Sequence, residues 1–139
     1  MKRRTFIKNS GAAAIIGTGM VANSCTESNS GLLGETQIQH GVIFSLKYEK
    51  GSAETIKFLE DGRRILSSIP TVKNFQVFDQ VSQKNDFQYG FTMVFNSLED
   101  YVTYNEHPLH IDFVENRWMK EVEKFLEIDF EVHPVSSTE

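Results

Sequence analysis

The chain has 139 residues, and its 14 Lys and Arg against 19 Asp and Glu give a formal net charge of −5. This acidic balance argues against nucleic acid as a partner, because a nucleic-acid interface needs clustered positive charge. The single cysteine excludes an internal disulfide, so the fold must be stabilised by core packing or by oligomerisation.

The first 24 residues have the pattern of an export signal. Arg3 and Arg4 lie in a short basic segment, and a mildly apolar stretch from Gly11 to Ala22 follows it. That stretch is too short to span a bilayer and is typical of a signal peptide. The arrangement Arg-Arg-x-Phe-Ile-Lys closely resembles a twin-arginine signal, an address read by an export receptor. We expect residues 1–24 to direct export, and their removal takes four basic residues from the chain and moves its charge from −5 to −9.

Cys25 lies where a lipid-modified cysteine would become the mature N-terminus. Ala22-Asn23-Ser24-Cys25 resembles a lipobox, with Ala22 in place of the usual bulky aliphatic residue. Lipidation of Cys25 predicts a periplasmic or membrane-anchored lipoprotein that touches the membrane only through its lipid anchor. The alternative is an incidental small residue near an ordinary cleavage site. Residues 25–39 are rich in Ser, Asn, Gly and Glu, which is typical of a tether.

The domain predicted over residues 40–133 begins with a strand and a helix. Residues 40–48 alternate between apolar and polar side chains, which predicts a strand with His40 on its apolar face. Ser52 is placed to cap the helix that follows, and Pro70 is placed to end it. The apolar positions predicted for this helix are Ile56, Leu59 and Leu66, with Phe58 and Ile65 on its flank.

Two further strands follow the first helix. Phe75, Val77 and Val81 indicate the second strand, and the polar residues 82–86 connect it to a third. The third strand alternates from Tyr89 to Phe95 with its aromatic residues on one face. The connection is therefore predicted to be a hairpin loop.

The last part of the domain is a kinked helix and a strand. Ser97 and Asp100 form a variant of the capping box at the helix start. His107 precedes Pro108 and is biased away from helical backbone, so we expect a break there and a restart with Pro108 at the first helical position. The spacing by threes and fours then predicts helix through Ile111, Val114, Trp118, Val122 and Phe125. The final strand is predicted from the alternation of Ile128, Phe130 and Val132.

The order strand, helix, strand, strand, helix, strand indicates an α+β domain with ferredoxin-like βαββαβ topology. Helices in these positions fit an antiparallel sheet with both helices on one face. The opposite face would carry Ile43, Phe78 and Val94 among polar neighbours. Pairing two such faces across a two-fold axis would bury them and form a dimeric α/β barrel. Residues 134–139 are left as a C-terminal tail.

Several residues together resemble one known family. They are His40-x-Val42-x-Phe44 in the first strand, Ile69-Pro70 after the first helix, Phe95 at the end of the third strand, and Tyr104-x-x-His107-Pro108-x-His110 at the kink. Over about residues 38–133 this pattern resembles the Dabb family, the stress-responsive α/β-barrel domain. The resemblance implies a dimeric ferredoxin-like barrel.

The resemblance also implies candidate catalytic residues. One plant member of the family is a cofactor-free enzyme that closes a polyketide by aldol condensation, and its catalytic tyrosine and histidine correspond to Tyr104 and His110. Its first-strand histidine corresponds to His40, whereas its third-strand histidine falls at Tyr89 and departs from that pattern. We therefore expect no cofactor and a catalytic group made of His110, Tyr104 and His40.

Two of these residues carry physical arguments of their own. His110 would occupy the first turn of the helix that restarts at Pro108, where the positive end of the helix dipole disfavours imidazolium. A neutral imidazole is what a general base requires, and Tyr104 would donate a hydrogen bond to a carbonyl or enolate oxygen. The alternatives are structural, with His110 bonded to a backbone carbonyl within the core and His107 capping the kink.

Other kinds of site find little support. His107 and His110 are three residues apart but are separated by the helix break, and no cysteine cluster or second histidine pair is present, so we expect no metal. A pocket between helices and sheet for a small hydrophobic ligand is predicted instead. The candidates for ligand contact are His107, Tyr89, Phe91, Phe113 and Trp118.

The sequence thus predicts an exported homodimer whose pocket takes a small hydrophobic ligand. The first hypothesis is a cofactor-independent proton transfer of lyase or cyclase type on a hydrophobic carbonyl compound. The alternative is a non-catalytic dimeric protein, structural or a stress-related binding protein, whose histidines are structural. That alternative predicts no pocket beside Tyr104 and His110.

Overall fold

The computed structural model describes residues 31–136, and the predicted export signal and Cys25 lie outside them. At its centre is an antiparallel sheet of four strands in the order β2-β3-β1-β4. The strands are β1 Ile38–Leu46, β2 Lys73–Asp79, β3 Tyr89–Phe95 and β4 Val122–Phe130. β1 therefore begins two residues inside the segment predicted as a tether. The topology confirms the predicted ferredoxin-like βαββαβ fold.

The helices lie against one face of this sheet. They are α1 Ala53–Leu66, α2 Leu98–Glu106, α3 Pro108–Phe113 and α4 Met119–Glu121, and a π-helical turn, Val114–Trp118, joins α3 to α4. The core between helices and sheet is rich in aromatic rings, among them the fully buried Phe44, Phe58 and Phe91. Within residues 31–136, no helix combines the length and apolar character needed to cross a membrane.

Helix α1 packs through most of its predicted apolar positions, because Leu66 is buried and Leu59 and Ile65 contact the core, but Ile56 does not belong to the buried stripe. Ser52 caps it as predicted. Phe58, predicted on the flank, is fully buried, whereas Ile56 is half exposed. A Cβ at Gly62 would lie 2.8 Å from Phe91 Cζ, so glycine lets α1 approach β3 closely along this line. The buried stripe is therefore Thr55, Phe58, Gly62 and Leu66.

The break between α2 and α3 confirms the prediction made from Pro108. The Ser97 hydroxyl accepts a hydrogen bond from the backbone NH of Asp100 and caps α2. His107 has extended backbone, with φ −66° and ψ 134°, and ends α2 while it caps α3. Its Nδ1 accepts a hydrogen bond from the backbone NH of Leu109 at 3.1 Å. Tyr104 and His110 consequently lie on either side of a fixed bend.

Two element ends near the first helix and the hairpin were predicted wrongly. α1 ends at Leu66, four residues before Pro70, because the chain forms a turn in which the Ile69 NH donates to the Leu66 carbonyl. β2 ends at Asp79, and Val81 lies exposed in the hairpin loop.

The largest error concerns Phe125, which was predicted to be helical. α4 ends at Glu121, and β4 begins at the next residue. The apolar spacing fits a helix, but strand pairing satisfies the backbone of residues 122–130 along β1 and places Phe125 opposite Phe44. The π-helical turn before α4 also changes the phase of the helix, so the simple period of 3.6 no longer applies there.

The sheet face away from the helices is more apolar than predicted. It carries Ile43, Phe78 and Val94, as expected, and the register of β4 against β1 adds Leu126, Ile128 and Phe130. Phe78, Leu126 and Phe130 each expose about half of their surface, at 45%, 50% and 58%. We refer to these six residues as the outer face. An apolar patch of this kind on a single protomer is typical of an interaction surface.

Candidate functional site

A cavity of about 190 Å³ opens between the helix-covered face of the sheet and the bend between α2 and α3. Four polar side chains interrupt its wall: His40 from β1, Tyr104 from α2, His110 from α3 and Glu127 from β4. The rest of the wall is apolar or aromatic, from Val42, Leu66, Phe91, Met93, Phe113, Val114, Trp118, Met119 and Phe125. The cavity is therefore an apolar chamber with proton-transfer groups at a few points.

His110 is held as a neutral base. Its Nδ1 lies 3.1 Å from the carbonyl oxygen of Asn105, so Nδ1 carries the proton and donates, and Nε2 keeps its lone pair. Burial lowers the pKa of His110 from its ordinary value, against a smaller opposing effect of the hydrogen bond to Asn105. The sequence predicted a neutral imidazole because of the helix dipole. The structure attributes it mainly to desolvation.

Tyr104 is the partner of His110 across the bend. The two ring centroids are 4.3 Å apart, and the tyrosine is almost fully buried. Burial raises the pKa of Tyr104, and the nearby Tyr101 and Glu127 raise it further. The hydroxyl therefore stays protonated and serves as a hydrogen-bond donor at neutral pH.

His40 belongs to a second polar group on the same wall. Its Nδ1 lies 2.5 Å from Asp129 Oδ1, and the Tyr101 hydroxyl lies 3.1 Å from the same nitrogen and 3.0 Å from Asp129 Oδ2. The β1–β4 register places Asp129 directly opposite His40. The predicted apolar face of the strand thus carries a hydrogen-bonded histidine with a carboxylate partner.

Sequence reasoning missed Tyr101, Glu127 and Asp129. It read the last strand from its apolar residues, but Ile128 and Phe130 lie on the outer face, and the acidic residues between and beside them turn toward the helices. The alternation of acidic and apolar residues from Glu127 to Phe130 was the signal that Glu127 and Asp129 share one face of the strand. Finding it required the β1–β4 register, which pairs residues 89 positions apart.

The structure separates the residues predicted to contact a ligand into two groups. Phe91, Phe113 and Trp118 line the cavity. Tyr89 lies elsewhere in the core, 5.9 Å from the Phe44 ring, and His107 caps α3. Neither Tyr89 nor His107 lines the cavity, so its geometry gives no support to a ligand contact by these two. The capping role of His107 is the structural alternative stated above.

The charged side chain on the cavity wall is an acidic one. Among residues 31–136, Glu127 is the carboxylate of this wall, and neither Lys nor Arg is part of it. In the part of the chain that the structure describes, no three side chains of the His, Cys, Asp and Glu types are grouped to hold a metal ion. The groups on the wall are suited to accept, donate and return protons in an apolar surrounding.

Comparison with known proteins gives the family. Residues 38–132 match the family model described as the stress responsive A/B barrel domain, Dabb. A stress-response A/B barrel domain-containing protein from Arabidopsis thaliana is 30% identical over 105 residues, which cover 72% of this chain and 90% of that relative.

Solved structures agree with this assignment. A Dabb family protein with a ferredoxin-like fold from Mesorhizobium loti has 45% identity and a TM-score of 0.68, over 72% of this chain and 98% of the other. A dimeric ferredoxin-like protein from Bacteroides fragilis, at 17% identity and a TM-score of 0.55, shares the fold over 69% of this chain and 96% of its own. The chain belongs to the Dabb family of stress-responsive A/B barrel domain proteins.

Proposed function

We propose that this protein binds a neutral, mostly apolar carbonyl compound and transfers a proton on it without a cofactor. The proposal rests on one observation: the rings of His110 and Tyr104 are in contact on the wall of an apolar cavity. A half-buried neutral imidazole beside a protonated phenol is the pair of groups that enolisation of a carbonyl compound needs.

The roles of the two residues follow from their protonation states. His110 Nε2 accepts the proton from the carbon beside the carbonyl group, and the electron pair of that C–H bond moves toward the carbonyl oxygen. The Tyr104 hydroxyl donates a hydrogen bond to the oxygen as its negative charge develops. Return of the proton from His110 completes an exchange. If the enolate carbon instead attacks a second carbonyl group of the same molecule, the C=O π bond breaks, and the His110 imidazolium gives its proton to the alkoxide of the new ring. His40, on the same wall, is the third group of this site.

The cavity wall indicates the class of ligand. Aromatic and aliphatic side chains form most of it, which favours an apolar or aromatic body. Glu127 would repel a carboxylate or phosphate, and the described part of the chain places no Lys or Arg on the wall to bind one. We therefore expect a neutral ligand whose polar part is the carbonyl group, held near Tyr104.

The outer face supports a homodimer. Its six apolar side chains would be buried if two sheets packed face to face, which closes the barrel across a two-fold axis. A dimeric protein shares this fold, as reported above. Sedimentation of residues 31–136 at micromolar concentration should give a mass twice that of the monomer, and Phe130→Asp should reduce it to the monomer mass.

Export and lipid anchoring belong to the proposal through residues 1–24 and Cys25. The acidic mature chain would then work in the periplasm, attached to a membrane through the lipid on its N-terminus. Mass spectrometry of the mature protein decides the question, because a lipidated Cys25 adds the mass of its acyl groups to the first residue. An unmodified N-terminus at another position would overturn this part of the proposal.

The decisive experiment is hydrogen exchange on a ligand. The protein is incubated in D₂O with a panel of small aromatic ketones and 1,3-dicarbonyl compounds, and replacement of the acidic C–H is followed by mass spectrometry. We expect His110→Ala to slow exchange about a hundredfold to ten-thousandfold, the usual contribution of a general base. His133→Ala, which changes an exposed histidine outside the strands and helices, is the matched control.

The rival hypothesis, a non-catalytic protein with structural histidines, predicted tight packing beside Tyr104 and His110. The cavity at these residues contradicts that expectation. A binding protein without chemistry would still take up the ketone panel but would exchange no faster than its His110→Ala variant. That outcome would reject the proton transfer and retain the ligand site.

A further inference from the structure

We propose that Asp129 and Tyr101 are positioning residues that hold His40 as a second base of the cavity. The inference rests on the proposed function, because it assigns a role within the same site. It concerns residues that the Tyr-x-x-His-Pro-x-His pattern does not include. Its evidence is a closed group of three side chains from β1, α2 and β4.

The three side chains form a triangle of hydrogen bonds. His40 Nδ1 and Asp129 Oδ1 are 2.5 Å apart, the Tyr101 hydroxyl is 3.0 Å from Asp129 Oδ2, and it is 3.1 Å from His40 Nδ1. His40 is almost fully buried, whereas the Asp129 side chain retains 42% of its exposure. The carboxylate thus remains partly hydrated while it fixes a buried ring.

The distances select one arrangement of protons. If Nδ1 carried a lone pair, it would face the carboxylate oxygen at 2.5 Å with no proton between two acceptors. With the proton on Nδ1, that nitrogen donates to Asp129 Oδ1, and the Tyr101 hydroxyl donates to Oδ2. The phenol keeps its proton for this purpose, because burial first and the carboxylate second raise the pKa of Tyr101. Both carboxylate oxygens of Asp129 then accept a hydrogen bond, one from His40 Nδ1 and one from the Tyr101 hydroxyl.

The arrangement leaves the second nitrogen of His40 for the cavity. Within residues 31–136, the hydrogen bonds of the His40 ring all involve Nδ1, and the residue lines the cavity wall. In the neutral ring with its proton on Nδ1, Nε2 carries the lone pair and is the atom that can contact a ligand. A free neutral histidine favours the proton on Nε2, so the carboxylate reverses the ordinary preference of this ring.

The cavity consequently holds two imidazoles with the same tautomer. His110 donates from Nδ1 to a backbone carbonyl, and His40 donates from Nδ1 to Asp129, so each offers Nε2 as an acceptor. The Tyr104 ring contacts both, with centroid distances of 4.3 Å to His110 and 6.2 Å to His40. Either histidine can remove a proton from a bound carbonyl compound through Nε2, and the imidazolium formed in that step can return the same proton to the substrate.

The test reads the tautomer directly and needs no ligand. Two-bond ¹H–¹⁵N correlation spectra of the full ¹⁵N-labelled protein at pH 8 distinguish Nδ1–H from Nε2–H, and the His40→Gln variant assigns the His40 signals. We expect the wild-type ring to carry its proton on Nδ1 and the Asp129→Ala ring to revert to Nε2–H. A wild-type ring protonated on Nε2 or on both nitrogens, or an unchanged tautomer in Asp129→Ala, would overturn the proposal.

Matched variants separate positioning from folding. Tyr101→Phe keeps the ring and removes the hydroxyl, and Tyr48→Phe does the same at a hydroxyl bonded to Glu121. Asp86→Asn changes a carboxylate whose side chain is 94% exposed. We expect a mixture of His40 tautomers in Tyr101→Phe and the wild-type tautomer in both controls. Retention of the His110 signals in every variant verifies that the cavity is intact.

Turnover distinguishes this inference from the proposed function. If the protein catalyses exchange, Tyr101→Phe should slow it about tenfold to a hundredfold at saturating ketone, because a misplaced group costs rate, while the half-saturating concentration stays the same. A wild-type protein with the predicted tautomer and no exchange would reject the proton transfer alone. Full exchange in Asp129→Ala would reject the positioning role alone.

Discussion

Two groups of charged and polar side chains join the helices to the sheet or to each other, and they differ in how their charge is balanced. One is the ionic cluster of Asp61, Arg117 and Glu121, and the other is the His40, Tyr101 and Asp129 triangle. Arg117 Nη1 donates to Asp61 at 2.7 Å, and its Nε donates to Glu121 at 2.5 Å. Lys57 and Arg64 also bond Asp61, so permanent cations neutralise this cluster.

The triangle contains no permanent cation. Its donors are an imidazole and a phenol, and it borders the cavity through His40. Arg117 and its partners border none of that cavity. A cluster that cannot change its charge at neutral pH is suited to fasten helices together, whereas a cluster built on imidazole is suited to move protons. The comparison therefore separates a structural role from a chemical one.

The largest expected effect is on chemistry at the cavity. Tyr104→Phe removes the donor proposed for the developing oxyanion, and loss of one such donor costs about 3 kcal/mol of transition-state stabilisation. Ketone exchange should therefore fall about a hundredfold. The free energy of unfolding in urea should change by less than about 1 kcal/mol, because the ring and its packing remain and its hydroxyl has no partner within residues 31–136. A large loss of stability would show that Tyr104 is structural.

The difference between the two clusters could not be read in full from the sequence. The bend was predictable, because Ser97, His107 and Pro108 act through their own backbone, and the signals for capping and helix restart are local. Asp129 was not, because its role depends on the register between β1 and β4. The helical spacing that ran through Phe125 was a real pattern, but strand pairing outweighed it. Local sequence signals therefore predicted the bend that holds Tyr104 and His110. The partner of His40 could be found only from the pairing of β1 with β4.

The next effect is on stability at the ionic cluster. Arg117→Leu removes the cation that Asp61 and Glu121 share and leaves two largely buried carboxylates close together. We expect the free energy of unfolding in urea to fall by about 2 kcal/mol, since a hydrogen bond to a charged group is worth that much and the site is partly open to water. The tautomers of His40 and His110 should not change. Arg63→Leu, at an exposed position on α1, is the control and should have little effect.

The same cluster predicts a loss of stability in acid. Hydrogen bonds from Arg117, then Lys57 and Arg64, lower the pKa of Asp61 far below its ordinary value of 3.8. A carboxyl group whose pKa is lower in the folded state stabilises the fold above its unfolded pKa and loses that contribution as the pH falls. The stability difference between wild type and Arg117→Leu should therefore be largest near pH 7 and should shrink below about pH 4. Urea titrations at both values measure it, and an equal difference in acid would contradict the assignment to Asp61.

The smallest expected effect is on the pKa of His110, the proposed base. Glu127 is on the cavity wall, and its negative charge raises the pKa of His110 against the larger lowering by burial. Glu127→Gln should therefore lower the pKa of His110 further, because it removes a negative charge that stabilises the imidazolium. Glu131→Gln, at an exposed residue beyond β4, should leave the pKa of His110 unchanged. An NMR titration of the His110 ring protons makes the measurement. If the pKa of His110 rises in Glu127→Gln, then Glu127 does not act on the imidazole through its charge. Burial alone would then account for the neutral state of His110 in the cavity.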